Sequence, residues 1–322
     1  MNEALIAILA GVVRNATPLV IASIGETLTE RAGVTNLSLD GSIILSAMTG
    51  FVVALLTESI LFGVLAAMFV GALVALIIAV ADIELRQDQV AIGFVLTLLC
   101  RDIAQFVGQA YTRLPGPQIP NQPIPFLSQI PVLGTIFFDH DWTVYLSYVL
   151  VIGTWWFLFA SRAGLAARAV GERPEAAFAR GTPVNAQRYL YTILGGALVG
   201  LAGAAYSLRL KPGWATPPNM LGDGWIALAI VIFGGWNPLR VLLGAYLFAG
   251  LRSLSSALQR SALFPVTLLN LLPWVLMILT LVLVNGGALE RLTRFLPRPI
   301  ARRVQQFLRS DPPAALGTRF ER

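Results

Sequence analysis

Apolar residues run along this chain in long blocks separated by short polar stretches, and the block lengths decide the architecture. A helix needs about 20 consecutive apolar residues to cross the hydrocarbon core of a bilayer. Blocks of that order cover residues 4–25, 42–57, 60–81, 90–110, 142–160, 189–207, 239–258 and 267–284. A shorter apolar run, 225–233, follows a loop rich in proline and glycine and is closed by Gly234-Gly235-Trp236-Asn237-Pro238. The pattern predicts an all-α fold, a polytopic transmembrane helical bundle of about 8–10 membrane segments with at least one discontinuous or short helix.

The polar residues inside these blocks refine the picture. Arg14 is costly in mid-span, which puts it near an interface or against a protein partner. Gly63, Ala67, Gly71, Ala75 and Ala79 recur every four residues, and Gly196, Gly200 and Ala204 repeat the spacing. Such faces let helices approach closely in lipid, a packing role. Thr97, Arg101, Gln105 and Gln109 share the same interval and hence one helix face. Unsatisfied polar groups in lipid cost several kcal/mol, so this stripe is buried against neighbouring helices or lines a solute path. Asp102 points elsewhere and need not pair with Arg101. The polar stretch 26–41 reads either as a simple loop, with the N-terminus outside, or as a helix break within the membrane, which allows the N-terminus inside.

Composition agrees. Of 322 residues 56% are hydrophobic and 12% charged, with a mean hydropathy of +0.73. Soluble domains carry about a quarter charged residues, so a soluble enzyme is excluded. Cys100, in an apolar block, is the single cysteine and His140 the single histidine, so neither a disulfide nor a Cys- or His-based metal cluster can form. His140 reads as a solvated loop residue, and no Ser/His/acid arrangement stands out. Most acids fall at predicted helix ends and in loops, not paired within spans as a proton relay requires. No G-x-x-x-x-G-K-[ST] phosphate loop occurs, so ATP chemistry is not expected in this chain. The N-terminal MNEALIAILAG lacks a basic n-region, and no cleavable signal peptide is expected.

The net charge of +6 comes almost wholly from arginine, and its distribution orients the chain without implying nucleic acid. Residues 161–188, the longest polar interruption in mid-chain, hold five arginines against Glu172 and Glu175. That excess makes them a cytoplasmic loop. Within it Pro174 suits the first turn of a helix, Glu175-Ala176-Ala177-Phe178-Ala179-Arg180 are helix formers, and Gly181 ends the run. A two-turn helix lying along the membrane surface follows. Residues 111–141 are proline-rich with Arg113 as their one arginine, an external loop. After Gly286 the chain carries eight arginines, so residues 287–322 are expected to form a cytoplasmic tail following a 1–286 transmembrane domain. Pro297-Arg298-Pro299 interrupts any surface helix there.

The loop wording ARAVGERPEAAFARGTPVNAQRY resembles the coupling loop of ABC importer permeases, in the family serving branched-chain amino acids, sugars and nucleosides. TERAGVTNLSLDG at 29–41 is similar to that family's early signature, and Gly222-Asp223-Gly224-Trp225 with Gly234-Gly235-Trp236-Asn237-Pro238 to its late one. Together they cover about residues 5–286, nearest the nucleoside branch paired with basic-membrane-protein type lipoproteins; Asp40 stands where that branch has Glu. The resemblance implies that Gly171, Glu172, Pro174, Glu175, Ala176, Ala177, Arg180 and Gly181 contact an ATPase, and that a discontinuous early helix lines the path with Thr35, Asn36 and Asp40. Thr97, Arg101, Gln105 and Gln109 join them as path candidates.

It further implies a non-enzymatic permease subunit of a bacterial cytoplasmic membrane importer, without cofactor. The expected partners are two ATPase domains, a second related permease (a different chain rather than a second copy), an external solute-binding lipoprotein and the lipid bilayer. Nucleosides are the first expectation for the solute, simple sugars or riboflavin the alternatives. An ATP-independent secondary transporter or channel is the rival class.

Overall fold

The computed structural model describes residues 3–259 and 311–320, with positions 271, 274, 275, 278, 279 and 282 between them. The helices are α1 (Glu3–Arg31), α2 (Leu39–Thr57), α3 (Ile60–Ile83), α4 (Gln89–Gly108), α5 (Trp142–Ala160), α6 (Arg162–Glu172), α7 (Pro174–Ala179), α8 (Val184–Ala205), α9 (Asp223–Phe233) and α10 (Pro238–Gln259). Among the described residues, six helical stretches are long and apolar enough to cross a membrane: Leu5–Arg31, Leu39–Thr57, Ile60–Ile83, Gln89–Tyr111, Trp142–Ala160 and Val184–Leu210. The expected span 267–284 and most of the 287–322 tail lie outside the described residues.

Helix starts follow local chemistry. Asp88, Asp141 and Ser161 accept hydrogen bonds from the N–H groups of Ala91, Thr143 and Gly164 at 2.8, 3.0 and 2.9 Å, capping α4, α5 and α6. Large apolar side chains such as Leu19, Ile43, Phe51 and Phe248 fill the core, and small residues make its closest helix contacts. α8 packs on α1, α2 and α3, and a Cβ on Gly71 would strike the Gly196 carbonyl and the Gly200 backbone. The two small-residue stripes therefore bring α3 and α8 nearly backbone to backbone. The outer faces stay apolar, with Leu61, Leu65 and Phe69 of α3 and Val149, Ile152 and Trp156 of α5 exposed, as lipid requires.

The bundle has two ends. Val13 packs with Ile136 and Val144 beside the proline-rich 111–141 segment, whereas Ala32, just past Arg31, packs with Ala167 of α6. So α1 runs the full depth, and its first turns lie opposite the basic loop. The chain then re-enters through residues 32–38, which are non-helical, before α2 begins.

Four local expectations change. The polar residues 26–31 are helical, because Glu26 and Glu30 are buried and bonded inside the bundle. The 161–188 loop is largely helical, with α6 before α7, and α8 already starts at Val184; Arg188 is buried at 2% exposure. His140 is also buried, its Nε2 lying 2.8 Å from the Ile136 carbonyl. Arg101 Nε does approach Asp102 Oδ1, at 3.5 Å.

Candidate functional site

α7 is shaped as its sequence dictates. Pro174 occupies its first turn, where the missing N–H costs nothing. Gly181 turns left-handed at φ +84° and donates its N–H to the Phe178 carbonyl at 2.8 Å, while Thr182 N–H reaches the Ala177 carbonyl at 3.0 Å. Ala177 is buried against Val170 and Val184. Glu175, Ala176, Phe178 and Arg180 face outward, so the helix offers a short exposed face beyond the spans.

The end of α6 seats this unit on the foot of α1. A Cβ on Gly171 would collide with the Arg31 carbonyl, so only glycine allows this approach. Glu172 Oε1 lies 3.8 Å from Arg31 Nη1. The same guanidinium donates from Nε to the Trp236 carbonyl at 3.1 Å and from Nη2 to the Gly235 carbonyl at 3.3 Å. Trp236 in turn donates its indole N–H to the Glu30 carboxylate. Arg31 therefore joins three sequence motifs, from residues 29–41, 171–181 and 234–238, at one point.

Above this junction run the non-helical residues 32–38. Unpaired backbone groups are costly away from water, and here side chains supply the partners. Glu26 Oε1 accepts the Asn36 N–H at 3.1 Å, and Gln89 Oε1 accepts the Thr35 N–H at 2.7 Å. Asn36 Oδ1 accepts both the Ser38 N–H at 3.0 Å and its hydroxyl at 2.7 Å. Thr97 donates its hydroxyl to the Leu37 carbonyl at 2.8 Å. Thr97 stands eight residues, about 12 Å, beyond the start of α4, so the break lies within the depth of the bundle. Gln89 also donates to Asp82 Oδ1 at 2.6 Å, and Asp82 faces Arg188 at 4.0 Å. A second chain of polar contacts thus leads from the start of α8 to Thr35.

Asp40 opens α2. Its Oδ1 accepts the N–H groups of Gly222 and Gly224 at 2.8 and 3.1 Å, fastening the start of α9 to α2. Asp223 between them pairs with Arg252 of α10, Oδ2 lying 3.0 Å from Nη1. The charge of Asp40 is thus held by backbone donors on the far side of the break.

The stripe on α4 divides. Thr97 is buried against residue 37, Arg101 and Gln105 are half-buried, and Gln109 is exposed at the opposite end of the bundle. Arg101 and Asp102 keep 37% and 67% of their side chains exposed in the body of a membrane-spanning helix, where lipid would not tolerate them. This face therefore meets protein or water. Two turns earlier, Phe94 packs against Trp225 with the rings tilted by 33° and centroids 5.3 Å apart.

The structure brings Gly171, Glu172 and Pro174 through Gly181 together at one end, and Thr35, Asn36, Asp40 and Thr97 together above it. Arg31, Glu30, Glu26, Trp236, Asp82, Gln89 and Arg188 were given no role by sequence reasoning, although Glu30, Arg31 and Trp236 fall inside the quoted motifs. The four-residue spacing of Glu26 and Glu30, which places both on one helix face, was the available signal. Among the described residues no group of three or more His, Cys, Asp or Glu side chains is arranged to hold a metal ion.

The family model described as branched-chain amino acid transport system / permease component matches residues 8–281. The nucleoside ABC transporter permease protein NupC of Lactococcus lactis is 34% identical over 88% of this chain and 93% of its own length. The guanosine ABC transporter permease protein NupQ of Bacillus subtilis is 36% identical over 83% of this chain and 88% of its own. TsgC13 of Haloferax volcanii, provisionally named a glucose ABC transporter permease protein, is 38% identical over 80% of this chain and 79% of its own. No solved structure matches the chain. With its membrane-spanning helices and three motifs meeting at Arg31, the chain belongs to the branched-chain amino acid transport system permease component family and is a multi-pass permease subunit of an ABC transporter, a membership that implies ATPase and solute-binding partners.

Proposed function

We propose that this chain forms the translocation path of an importer for nucleosides in a bacterial cytoplasmic membrane. The exposed face of α7 docks on an ATPase subunit. The observation that carries the reading is the Arg31 junction, where Glu172 of the basic loop, the foot of α1 and the 234–238 turn share one guanidinium. Displacing α7 displaces all three, and with them the non-helical segment that opens α2. The arginine excess puts this end, with residues 311–320 beside it, on the cytoplasmic side, and the start of α1 outside.

The path runs along the α4 face bearing Arg101, Gln105 and Gln109, facing a second and different permease chain, with Thr35, Asn36 and Asp40 behind it. Nothing in this role asks the chain to make or break a covalent bond. The Phe94–Trp225 pair and the Gln105 amide suit a solute with an aromatic base and neutral hydrogen-bonding groups. Two relatives named for nucleosides or guanosine support that class. The relative provisionally named for glucose supports a simple sugar as the second reading.

The test is uptake by the full complex in proteoliposomes with labelled guanosine, uridine and glucose. The reading expects ATP-dependent nucleoside uptake. Uptake without the ATPase would replace it with a secondary transporter, and glucose uptake alone would move it to sugars. Purification with two differently tagged copies separates a heterodimer from a homodimer.

A further inference from the structure

Residues 311–320 return to the bundle at the point where α6 meets α1. Ala315 donates its N–H to the Gly171 carbonyl at 2.8 Å, and Gly317 donates to the Gly33 carbonyl at 3.1 Å. The Ala314 N–H reaches Glu172 Oε2 at 3.2 Å, the carboxylate whose other oxygen faces Arg31. Pro313 and Ala315 are buried, and Gly317 turns left-handed at φ +71°. Beyond it the Phe320 ring meets Phe178 at a 55° tilt with centroids 5.6 Å apart and packs on the Val170–Ala177–Val184 cluster under α7. One ten-residue segment thus bonds to α6, bonds to the first residues of the non-helical break and covers part of α7.

These contacts differ in kind from a loosely lying tail. Two are backbone bonds to carbonyls of glycines: at Gly171 a Cβ would strike the Arg31 carbonyl, and at Gly33 it would press on Arg188 Nη2 at 3.3 Å and meet the Ala315 carbonyl at an ordinary 3.5 Å. Glycine at 171 leaves room for α6 against the foot of α1. The φ of +91° at Gly33 favours glycine there.

We propose that residues 311–320 are a positioning strap of the coupling machinery, which holds α7 in register with the 32–38 break so that displacement of α7 by the ATPase is delivered to the translocation path. The proposal rests on the assignment of α7 as the ATPase contact. Without the strap, α7 is held by its covalent links to α6 and α8 and by the Ala177 contacts, and part of its displacement is spent within the loop.

The experiment uses the full complex in proteoliposomes and measures solute uptake and ATP hydrolysis together. Phe320→Ala removes the ring contact outside the spans, and Ala315→Pro removes the N–H that reaches Gly171. Each is expected to lower solute moved per ATP about fivefold, the factor corresponding to one lost hydrogen bond or equivalent contact, while ATP hydrolysis and complex assembly stay near the parent level. Phe320→Leu, which keeps an apolar side chain over the cluster, restores most of the ratio. An unchanged ratio in Phe320→Ala overturns the proposal, as does a parallel loss of uptake, hydrolysis and assembly, which marks a purely structural contact. Ala176→Glu serves as the separate arm. If it leaves ATPase binding intact, the α7 assignment falls and the strap with it; if it abolishes binding while the strap variants match the parent ratio, the strap alone is wrong.

Discussion

Replacing Arg31 with methionine tests the junction most directly. Methionine keeps the unbranched apolar stem and loses every donor. Two hydrogen bonds from a charged group to backbone carbonyls disappear, at 3.1 and 3.3 Å. Bonds to charged groups are worth about 1.5–3 kcal/mol each, and these lengths favour the lower end of that range. The contact to Glu172 at 3.8 Å adds about 1 kcal/mol at most, because that carboxylate keeps 49% of its surface in solvent. The expected loss is about 3–4 kcal/mol. Arg31→Lys keeps the charge, but one ammonium cannot span both carbonyls as a planar fork does, and about half the loss returns. Thermal unfolding of the purified subunit in detergent gives the stability order parent, Arg31→Lys, Arg31→Met. Solute moved per ATP by the complex should fall in the same order. Parent-like unfolding and transport in Arg31→Met would refute the assignment of Arg31 as the shared fastening of the three motifs.

Gly171→Ala forces a methyl group against the Arg31 carbonyl. A cost of about 1–3 kcal/mol is expected, seen as a lower unfolding temperature with α7 itself unchanged in sequence. Asp40→Ala orphans the Gly222 and Gly224 N–H groups, each costing about 1–3 kcal/mol, whereas Asp40→Asn retains an acceptor and should lose less than half as much in the same unfolding assay. Asp82→Asn leaves the buried Arg188 guanidinium without its counter-charge, and a loss of about 3–5 kcal/mol should appear as poor accumulation in the membrane and early unfolding. Glutamate at exposed Ala176 should block ATPase binding in a pull-down while the subunit unfolds as the parent does; glutamate at buried Ala177 should lower the unfolding temperature as well.

Much of this was legible in the sequence, for reasons that lie in the bilayer. Apolar block length specifies a span without knowledge of its neighbours, which is why α2, α3, α4 and α5 fall where hydropathy puts them. α7 was legible because Pro174 and Gly181 act locally. The short α9 was marked by the glycines and prolines around it. What stayed hidden depends on tertiary partners. Glu26, Glu30 and Arg31 look like loop residues, yet they extend α1 because the break at 32–38 needs an acceptor for the Asn36 N–H and the 234–238 turn needs partners for Trp236 and its carbonyls. Arg188 counted as loop charge, although Asp82, more than a hundred positions earlier, gives it a buried partner. His140 looked solvated for want of any sequence sign that the Ile136 carbonyl turns toward it.

The distribution of close contacts argues for where motion can occur. Gly25 against Gly195, Gly71 against Gly196 and Gly200, and Gly203 against Ile43 and Ala47 leave α1, α2, α3 and α8 with almost no clearance. Well-packed interfaces of that kind shift between discrete arrangements and do not bend smoothly. The 32–38 break does not supply slack either, since Thr35, Asn36, Leu37 and Ser38 are each tied by a side chain. A push at α7 therefore moves the lower ends of α1 and α2 as one body. α4 belongs to this body, since a Cβ on Gly41 would strike the Thr97 backbone and one on Gly93 would strike Leu37. The relative movement is left to the looser edge at α5, where a Cβ on Gly153 would meet no atom within 4 Å. Access would then change by tilting this rigid core, α4 included, against α5 and against the partner beyond the α4 face. Double electron–electron resonance between spin labels on α5 and α8 should show a distance change during the ATP cycle, and labels on α3 and α8 should show none; a change confined to the α3–α8 pair would reverse the assignment of rigid and moving parts.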